Sequence, residues 1–575
     1  MISGISASPG IVFGTVLLFK EKKIKINKEN ISEKNVQIEI KKFFQARKKS
    51  AQQIHEIKNQ AKKKFGKKKA SIFQGHILLL EDEELETEII SLIKKKKISA
   101  DFAIEKIIQE QIHTLEDLKD EYLKNRAIDI RDIGDRLLKN ILNIPVIDLS
   151  NIKKKVILIT RDLTPSQTTQ MNLEKIIGFI TDLGGITSHT SIMARSLEIP
   201  AIVGTKDITK KVQNGDFLIL DSINNKIIIN PSEKKIEYFK KEKKKYFNIQ
   251  KKLKLLKNLP AITQDGKKIE IGSNIGNYKD SINAKKYGAE SIGLYRTEFL
   301  FMGRNNLPSE EEQFQAYKSI AEKMNGKSII IRTMDIGGDK NLSYMNFPKE
   351  DNPFLGWRAI RVSIDNIKIL HDQIRAILRA SVFGALKIMF PMIISMEEIY
   401  FLKKEIKNIK YELKKKNIPF NKKIKIGIMI ETPSSAIISK YLIQEVDFFS
   451  IGTNDLTQYT LAVDRGNEII SKLYQPISPS ILYLIKKVIS ASHKSGKWTG
   501  ICGELASNPE IIALLVGMGI DELSMSSISI PNIKNIIRKI NFKKSKKFAK
   551  KVLKEKKIKN IQNLIKNFNK KENLL

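Results

Sequence analysis

After Pro260 the chain carries a series of short apolar runs separated, for the most part, by amphipathic stretches. They are Ile269 to Asn274, Ser291 to Arg296, Ser328 to Arg332, Leu386 to Pro391, Ile424 to Glu431, Phe448 to Asp455, Trp498 to Cys502 and Glu522 to Met525. About eight strands alternating with helices is what a (β/α)8 barrel of the TIM type requires, with a doubly wound open sheet as the alternative. Polar residues favour the barrel: Asn274, Arg296, Arg332, Glu431, Asn454, Asp455 and Cys502 all stand at or just beyond the carboxyl ends of these runs. In a barrel those ends form one face, so residues distant in sequence converge in one mouth.

The 575 residues exceed one compact core, and the rest of the chain reads as further domains. Residues 1–22 show short strands around Ser8-Pro9-Gly10, and strand-like runs return within 146–231 at Val156–Ile159, Ile177–Ile180 and Phe217–Leu220. Between them, residues 23–145 repeat apolar positions at helical spacing in Phe43–Lys62, Ile77–Ile93 and Phe102–Leu118. The simplest assembly is a multidomain α/β protein. Its two flanks make one α/β domain, the helices form an inserted α-helical subdomain, residues 232–259 make a lysine-dense helical linker, and 260–575 form the barrel.

No apolar run reaches the roughly 18 residues of a membrane helix, and the opening Met1-Ile2-Ser3-Gly4-Ile5 has no basic stretch, so a cytoplasmic protein without membrane insertion is expected. The single cysteine, Cys502, agrees with a reducing compartment. A net charge of +39 would suggest nucleic acid, but the lysines are scattered over every helical surface together with frequent Ile and Asn. No aromatic-interleaved basic strip accompanies them, so nucleic-acid binding is not expected.

The run Asp182-Leu183-Gly184-Gly185-Ile186-Thr187-Ser188-His189-Thr190-Ser191 follows a strand and opens a helix, with Thr187 or Ser188 available as cap. His189 therefore stands at a helix start, where free N–H groups, the positive end of the helix dipole and nearby hydroxyls favour an anion. A histidine that merely caps or packs is the competing reading of these residues alone. The other histidines (His55, His76, His113, His371 and His493) lack such a setting.

The stretch Gly184 to Thr205, GGITSHTSIMARSLEIPAIVGT, resembles the phosphohistidine signature of enzyme I of the bacterial phosphoenolpyruvate-dependent sugar phosphotransferase system. The opening ISGISASPGIVFG, the helical GHILLLEDEELE and the barrel runs GLYRTEFLFM, RTMDIGGDK, NPFLGWRAIR and FFSIGTNDLTQYTLAVDR are similar to that family too. Only the lysine-rich end after about Asn541 matches weakly. The resemblance implies a phosphohistidine domain and a barrel that binds phosphoenolpyruvate. It implies that His189 is the phosphorylated nucleophile, supported by Thr168, and that Cys502 is the proton donor. Arg296, Arg332, Arg465, Asn454 and Asp455 would then bind substrate with Arg358 in support, and Glu431 and Asp455 would hold Mg²⁺. It further implies HPr as the phosphate acceptor, docking on the inserted helices, a homodimer formed through the barrel domain, and a swivel about the linker. Ile186 departs from the pattern, since close relatives carry arginine there.

Two other readings compete. A pyruvate phosphate dikinase or phosphoenolpyruvate synthase shares these parts but needs an ATP-binding domain, and no Gly-rich nucleotide loop precedes the α/β unit. An inactive regulatory phosphoprotein is disfavoured by the intact Arg296, Arg332, Glu431, Asp455 and Cys502.

Overall fold

The computed structural model describes residues 4–19, 26, 28–65, 67–116, 121–144, 149, 152–185, 188–197, 199–338, 340, 342, 344–467 and 469–575. They fall into two compact units, Met1–Phe247 and Asn248–Leu575.

In the first unit, β1 (Ile5–Ser8), β2 (Ile11–Phe19), β3 (Val156–Thr160), β4 (Ile176–Thr181), β5 (Ala201–Val203), β6 (Phe217–Asp221) and β7 (Lys226–Ile229) form one sheet in the order β1-β5-β4-β3-β2-β6-β7. Strands β2 to β5 run parallel, and β1, β6 and β7 pair antiparallel at the edges. Alternation divides β3 between two cores. Leu158 packs with Phe179, Ala194 and Met171, while Ile157 and Ile159 pack with Ile180, Ile202 and Leu220. The chain leaves the sheet after β2 and returns as β3 beside it, with Thr15 opposite Val156. All of α1 (Val36–Phe65), α2 (Lys67–Leu80), α3 (Glu83–Lys96), α4 (Ala100–Glu116) and α5 (Glu121–Ile141) therefore occupies one connection. Their shared core repeats at helical spacing, with Ile54, Ile57 and Ala61 on α1 and Ile104, Ile108 and Ile112 on α4.

One helical expectation is corrected. The periodic stretch Ile77–Ile93 is two helices, because Asp82 takes an extended conformation and its side chain accepts from the Glu84 N–H at 2.8 Å, starting α3 afresh. Beyond the sheet, α6 (Pro165–Gln170), α7 (His189–Leu197) and α8 (Ile208–Lys211) connect its strands. The lysine-dense stretch forms α9 (Glu233–Leu255), whose thin apolar stripe places Ile236 and Phe239 against Ile11 and Ile219.

The second unit is a closed barrel of eight parallel strands: β8 (Glu270–Ile275), β9 (Ser291–Arg296), β10 (Ile329–Arg332), β11 (Leu386–Phe390), β12 (Lys425–Ile430), β13 (Phe448–Ile451), β14 (Trp498–Ile501) and β15 (Glu522–Met525). Pairing of β15 with β8, Glu522 opposite Glu270 through Met525 opposite Ser273, closes the ring and excludes the open sheet. Leu294, Ile330, Met389, Met429, Phe448 and Cys502 fill the interior, and Phe448 stacks on Trp498 at 4.7 Å. Gly427 makes that possible, since a Cβ there would lie 2.4 Å from the Phe448 ring. The lysine-rich end forms the helices Phe542–Val552 and Ile558–Lys571, which bury Phe548, Val552, Ile561 and Ile565 in the barrel's outer core.

Where the chain enters the barrel, the buried Lys534 donates to the Leu259 carbonyl at 3.0 Å and the Lys257 carbonyl at 3.3 Å and pairs with Glu290 at 3.2 Å. Removing that cation strands an acid and two carbonyls. Lys534→Ala is expected to cost about 2–4 kcal/mol of barrel stability, read as a lowered urea midpoint. An unchanged midpoint would contradict the anchoring role.

Candidate active site

The carboxyl ends of the barrel strands carry a ladder of alternating charge. Arg332, closing β10, pairs through Nη2 with Glu298 and with Asp335 at 3.1 Å. Asp335 receives a two-pronged contact from Arg358, Nε at 2.9 Å and Nη2 at 3.1 Å. The same Nη2 donates to Asp455 at 3.0 Å, and the other oxygen of Asp455 faces Arg465 at 3.7 Å. Arg358 completes its contacts by donating from Nη1 to the Tyr459 hydroxyl at 3.1 Å.

From Glu298 to Asp455 every member of the ladder is buried, and only Arg465 is partly exposed. Burial opposes charge on Arg332 and Arg358, but their carboxylate neighbours overcome it and hold both above the ordinary arginine value. Burial likewise opposes the charge on Asp335, yet Arg332, Arg358 and Lys340 keep it well below the usual carboxylate range.

Glu431 follows β12 directly and accepts the Met392 N–H at 2.7 Å. Burial first, and then the facing charges of Asp455 and Asp335, push its pKa up to about 8 against the pull of Arg332 and Arg358. An acid so placed favours a cation beside it. Asp455 Oδ1 and Arg332 Nε are buried without a hydrogen-bond partner, which points to groups that a ligand completes. Glu431 and Asp455 therefore fit a divalent cation. No cluster of three or more His, Cys, Asp or Glu side chains suited to a metal occurs among the described residues.

Cys502 follows β14, is 3 % exposed and lies in the barrel's interior cluster. Burial pushes its thiol up to about 11, with Arg332 and Arg296 pulling the other way. The thiol therefore stays protonated through neutral pH. A proton held more tightly in the folded than in the unfolded state stabilises the fold fully below the ordinary thiol value near 9, and that stability is lost as pH rises to about 11. Comparing unfolding midpoints of wild type and Cys502→Ala from pH 7 to 11 is expected to show the wild type falling more steeply above pH 9. Parallel curves would contradict the shift.

The remaining candidates line the same rim. Arg296 is exposed at the end of β9 and makes no hydrogen bond or ion pair among the described residues. Asn274 ties the Cys502 carbonyl (2.9 Å) to Ser524 (2.6 Å). Asn454 accepts from the Glu504 N–H at 3.0 Å. Asn454 and Asp455 do not end a strand as expected. Strand β13 stops at Ile451, and both residues sit in the first turn of the helix Thr453–Leu461, where Gly452 turns the chain over Glu431. Sequence reasoning missed Glu298, Asp335 and Tyr459. The signal was present in Arg296-Thr297-Glu298 and Arg332-Thr333-Met334-Asp335, where a carboxylate follows an arginine within a turn.

His189 and Thr168 belong to the first unit. His189 is the first residue of α7, and Ser188 Oγ accepts from the Ser191 N–H at 3.2 Å, capping that helix. The Thr168 hydroxyl donates to the Pro165 carbonyl at 2.9 Å and the Thr164 carbonyl at 3.1 Å. Thr190, the next residue after His189, donates to Asp162 at 3.2 Å, tying α7 to the segment before α6. Ile186 and Thr187 lie outside the described residues. The other histidines are exposed, as His55 and His113 are, or paired with acids: His76 with Asp129, His371 with Glu405 and His493 with Asp521.

The parallel barrel, with arginines, buried acids and a buried thiol at its rim, falls in a stretch that matches the phosphoenolpyruvate-utilising enzymes. Profiles of that class match residues 250–542 as the "PEP-binding domain", 3–126 as the "N-terminal" part and 152–225 as the "mobile domain". The phosphoenolpyruvate-protein phosphotransferase of Buchnera aphidicola subsp. Schizaphis graminum is 66% identical over 568 residues, covering 99% of this chain and 100% of that one. The Haemophilus influenzae protein of the same name is 54% identical, covering 99% of each. An NMR solution structure of an enzyme I protein is 45% identical, covering 43% of this chain and 99% of that one, with a TM-score of 0.39. The chain belongs to the phosphoenolpyruvate-protein phosphotransferase family, and it is a phosphotransferase. No helix among the described residues is long and apolar enough to cross a membrane.

Proposed function

We propose that the chain moves the phosphoryl group of phosphoenolpyruvate to His189 and then to a histidine of the phosphocarrier protein HPr, releasing pyruvate. The observation that carries this reading is the convergence of Arg332, Glu431 and Cys502 from the ends of three strands, and Asp455 from the helix that follows a fourth, at one barrel mouth. Arg296, Arg332 and Arg465 bind the carboxylate and phosphate, the task for which guanidinium forks are suited. Arg358, with all three nitrogens engaged by Asp335, Asp455 and Tyr459, holds Asp455 in place. Asn454 contacts the substrate.

Glu431 and Asp455 would hold Mg²⁺, which when bound would supply positive charge against the charge developing on the transferring group. Neutral His189 attacks phosphorus in line, forming the N–P bond as the bond to the enol oxygen breaks, and the arginines stabilise the transferring group. The enolate left behind takes a proton on its terminal carbon from Cys502, and pyruvate departs. Thr168 supports the imidazole. The helix start at His189 supplies N–H groups and dipole for the bound phosphate.

Residues 1–22 with 146–231 serve as the phosphohistidine domain, 23–145 as the carrier-docking subdomain, and 260–575 as the substrate-binding and dimerising domain. A swivel about 232–259 brings His189 to each partner in turn.

A single-turnover assay without carrier tests this reading. One pyruvate per chain is expected on mixing with phosphoenolpyruvate and Mg²⁺, and continuous release only once HPr and its downstream acceptors are added. Continuous pyruvate release without carrier would contradict a phosphohistidine relay.

A further inference from the structure

Two of the arginines assigned above share one buried partner that itself has no access to substrate. Asp335 lies three residues beyond β10 and is 1% exposed. Its Oδ1 accepts from Arg358 Nε at 2.9 Å, and its Oδ2 accepts from Arg358 Nη2 at 3.1 Å and faces Arg332 Nη2 at 3.1 Å and Lys340 Nζ at 3.6 Å. One carboxylate thus meets three cations from β10, from the loop after it and from the turn before the helix Ile360–Asp365.

The loop is built to bring them there. Gly337 and Gly338 take positive φ of 106° and 70°, and a Cβ at Gly337 would lie 2.3 Å from the Trp357 carbonyl and 2.7 Å from Arg358 Cα. The Ile336 carbonyl accepts the Ala359 N–H at 2.8 Å. The backbone beside Asp335 is therefore pressed onto the backbone beside Arg358, and the acid sits where a forked contact can form.

The geometry points to Asp335 as a positioning residue that sets the guanidinium planes of Arg332 and Arg358, and through Arg358 the carboxylate of Asp455, in the orientation phosphoryl transfer needs. This inference rests on the proposed roles of Arg332 and Asp455. Without Asp335, Arg358 keeps Asp455 and Tyr459 but loses both prongs that fix its plane. Arg332 keeps Glu298 and a long contact from Nη1 to the Met429 sulfur at 3.7 Å but loses its second carboxylate. Of the neighbouring acids, Glu298 touches only Arg332 and Asp455 touches Arg358 but not Arg332, so neither bridges the pair as Asp335 does.

The test compares Asp335→Asn and Asp335→Glu with wild type in the full-length chain. One readout is single-turnover pyruvate formation across a phosphoenolpyruvate series, and another is the ¹⁵Nε–H resonances of Arg332 and Arg358. Asp335→Glu keeps the charge but displaces the oxygens by one methylene, so it separates placement from neutralisation. Both variants are expected to lower the maximal rate about 10- to 100-fold per folded molecule, with KM raised less than 10-fold, and to shift or broaden the Arg358 resonance. Wild-type rates with unmoved arginine resonances would overturn the inference. Failure of both variants to fold would also overturn it, showing a structural strut instead. If wild type forms no pyruvate, the proposed function fails, while the arginine resonances still report whether Asp335 positions those side chains.

Discussion

Arg332→Met is expected to slow phosphoenolpyruvate-dependent pyruvate formation by roughly 10³-fold or more, the loss typical when an arginine that meets transition-state charge in phosphoryl transfer is removed. The side chain stands at the end of β10, is 6% exposed, and turns one nitrogen to Glu298 and Asp335 while its buried Nε has no partner. Its charge is secured by those acids, so it enters the reaction already ionised and oriented. Loss of the cation also leaves the buried Glu298 without its ion-pair partner, at a stability cost of about 3–5 kcal/mol, while Asp335 keeps Arg358 and Lys340. Arg332→Lys separates the two effects, because an ammonium keeps charge near Glu298 but cannot make a forked contact. A stable lysine variant with a large rate loss is the expected outcome, and a stable lysine variant at wild-type rate would show that charge alone suffices. Arg296, exposed and with no ion pair among the described residues, is expected to behave differently, with most of its effect in KM.

Cys502→Ala is expected to lower pyruvate formation by roughly 10²–10⁴-fold with little change in KM, the range for loss of a positioned general acid. Buried in the barrel's interior and pushed up to about 11, the thiol carries its proton throughout the working range and is shielded from bulk solvent. A serine at this position is a weaker acid and is expected to recover little of the rate. The donor's alkaline limb in the wild-type rate profile is expected near pH 11 rather than near 9. The alanine variant should still bind phosphoenolpyruvate with near wild-type affinity. Loss of binding together with loss of rate would assign Cys502 to packing instead of proton transfer.

Much of this arrangement was legible in the chain because the barrel's own physics writes it there. Strands buried on both faces read as continuous apolar runs, and the residues at and just beyond their carboxyl ends gather at one face of the barrel. Ser291–Arg296 and Glu522–Met525 matched their strands end to end, and Arg332, Glu431 and Cys502 stood at the expected rim. The strand expected over Phe448–Asp455 is shorter than that run, because the apolar stretch ends at Ile451 and Gly452-Thr453-Asn454-Asp455 turns the chain and opens a helix. The turn comes from Gly452, which lets the backbone pass over Glu431, and that packing is a tertiary fact. Ile77–Ile93 failed for a related reason: the apolar repeat persists across Asp82, and only the capping bond at Glu84 shows that the helix restarts.

Glu298 and Asp335 escaped notice because an acid near an arginine in sequence is usually a surface pair. What distinguishes them is burial, Glu298 against Arg332 and Asp335 against both Arg332 and Arg358, and the second arrangement depends on the loop from Thr333 to Ala359 folding back on itself. His189 shows the reverse case. Its local signal, a glycine turn and a cluster of hydroxyls at a helix start, leaves capping and chemistry both open, and the nucleophile's role is the proposal that labelling tests.

The most direct measurement of the relay is incubation of the purified chain with ³²P-labelled phosphoenolpyruvate and Mg²⁺. It is followed by acid and base treatment of the labelled protein and the same experiment on His189→Ala. The account predicts about one label per wild-type chain, lost in acid and stable in base, and none on the variant. Label retained on a folded His189→Ala chain, or an acid-stable label on wild type, would contradict it.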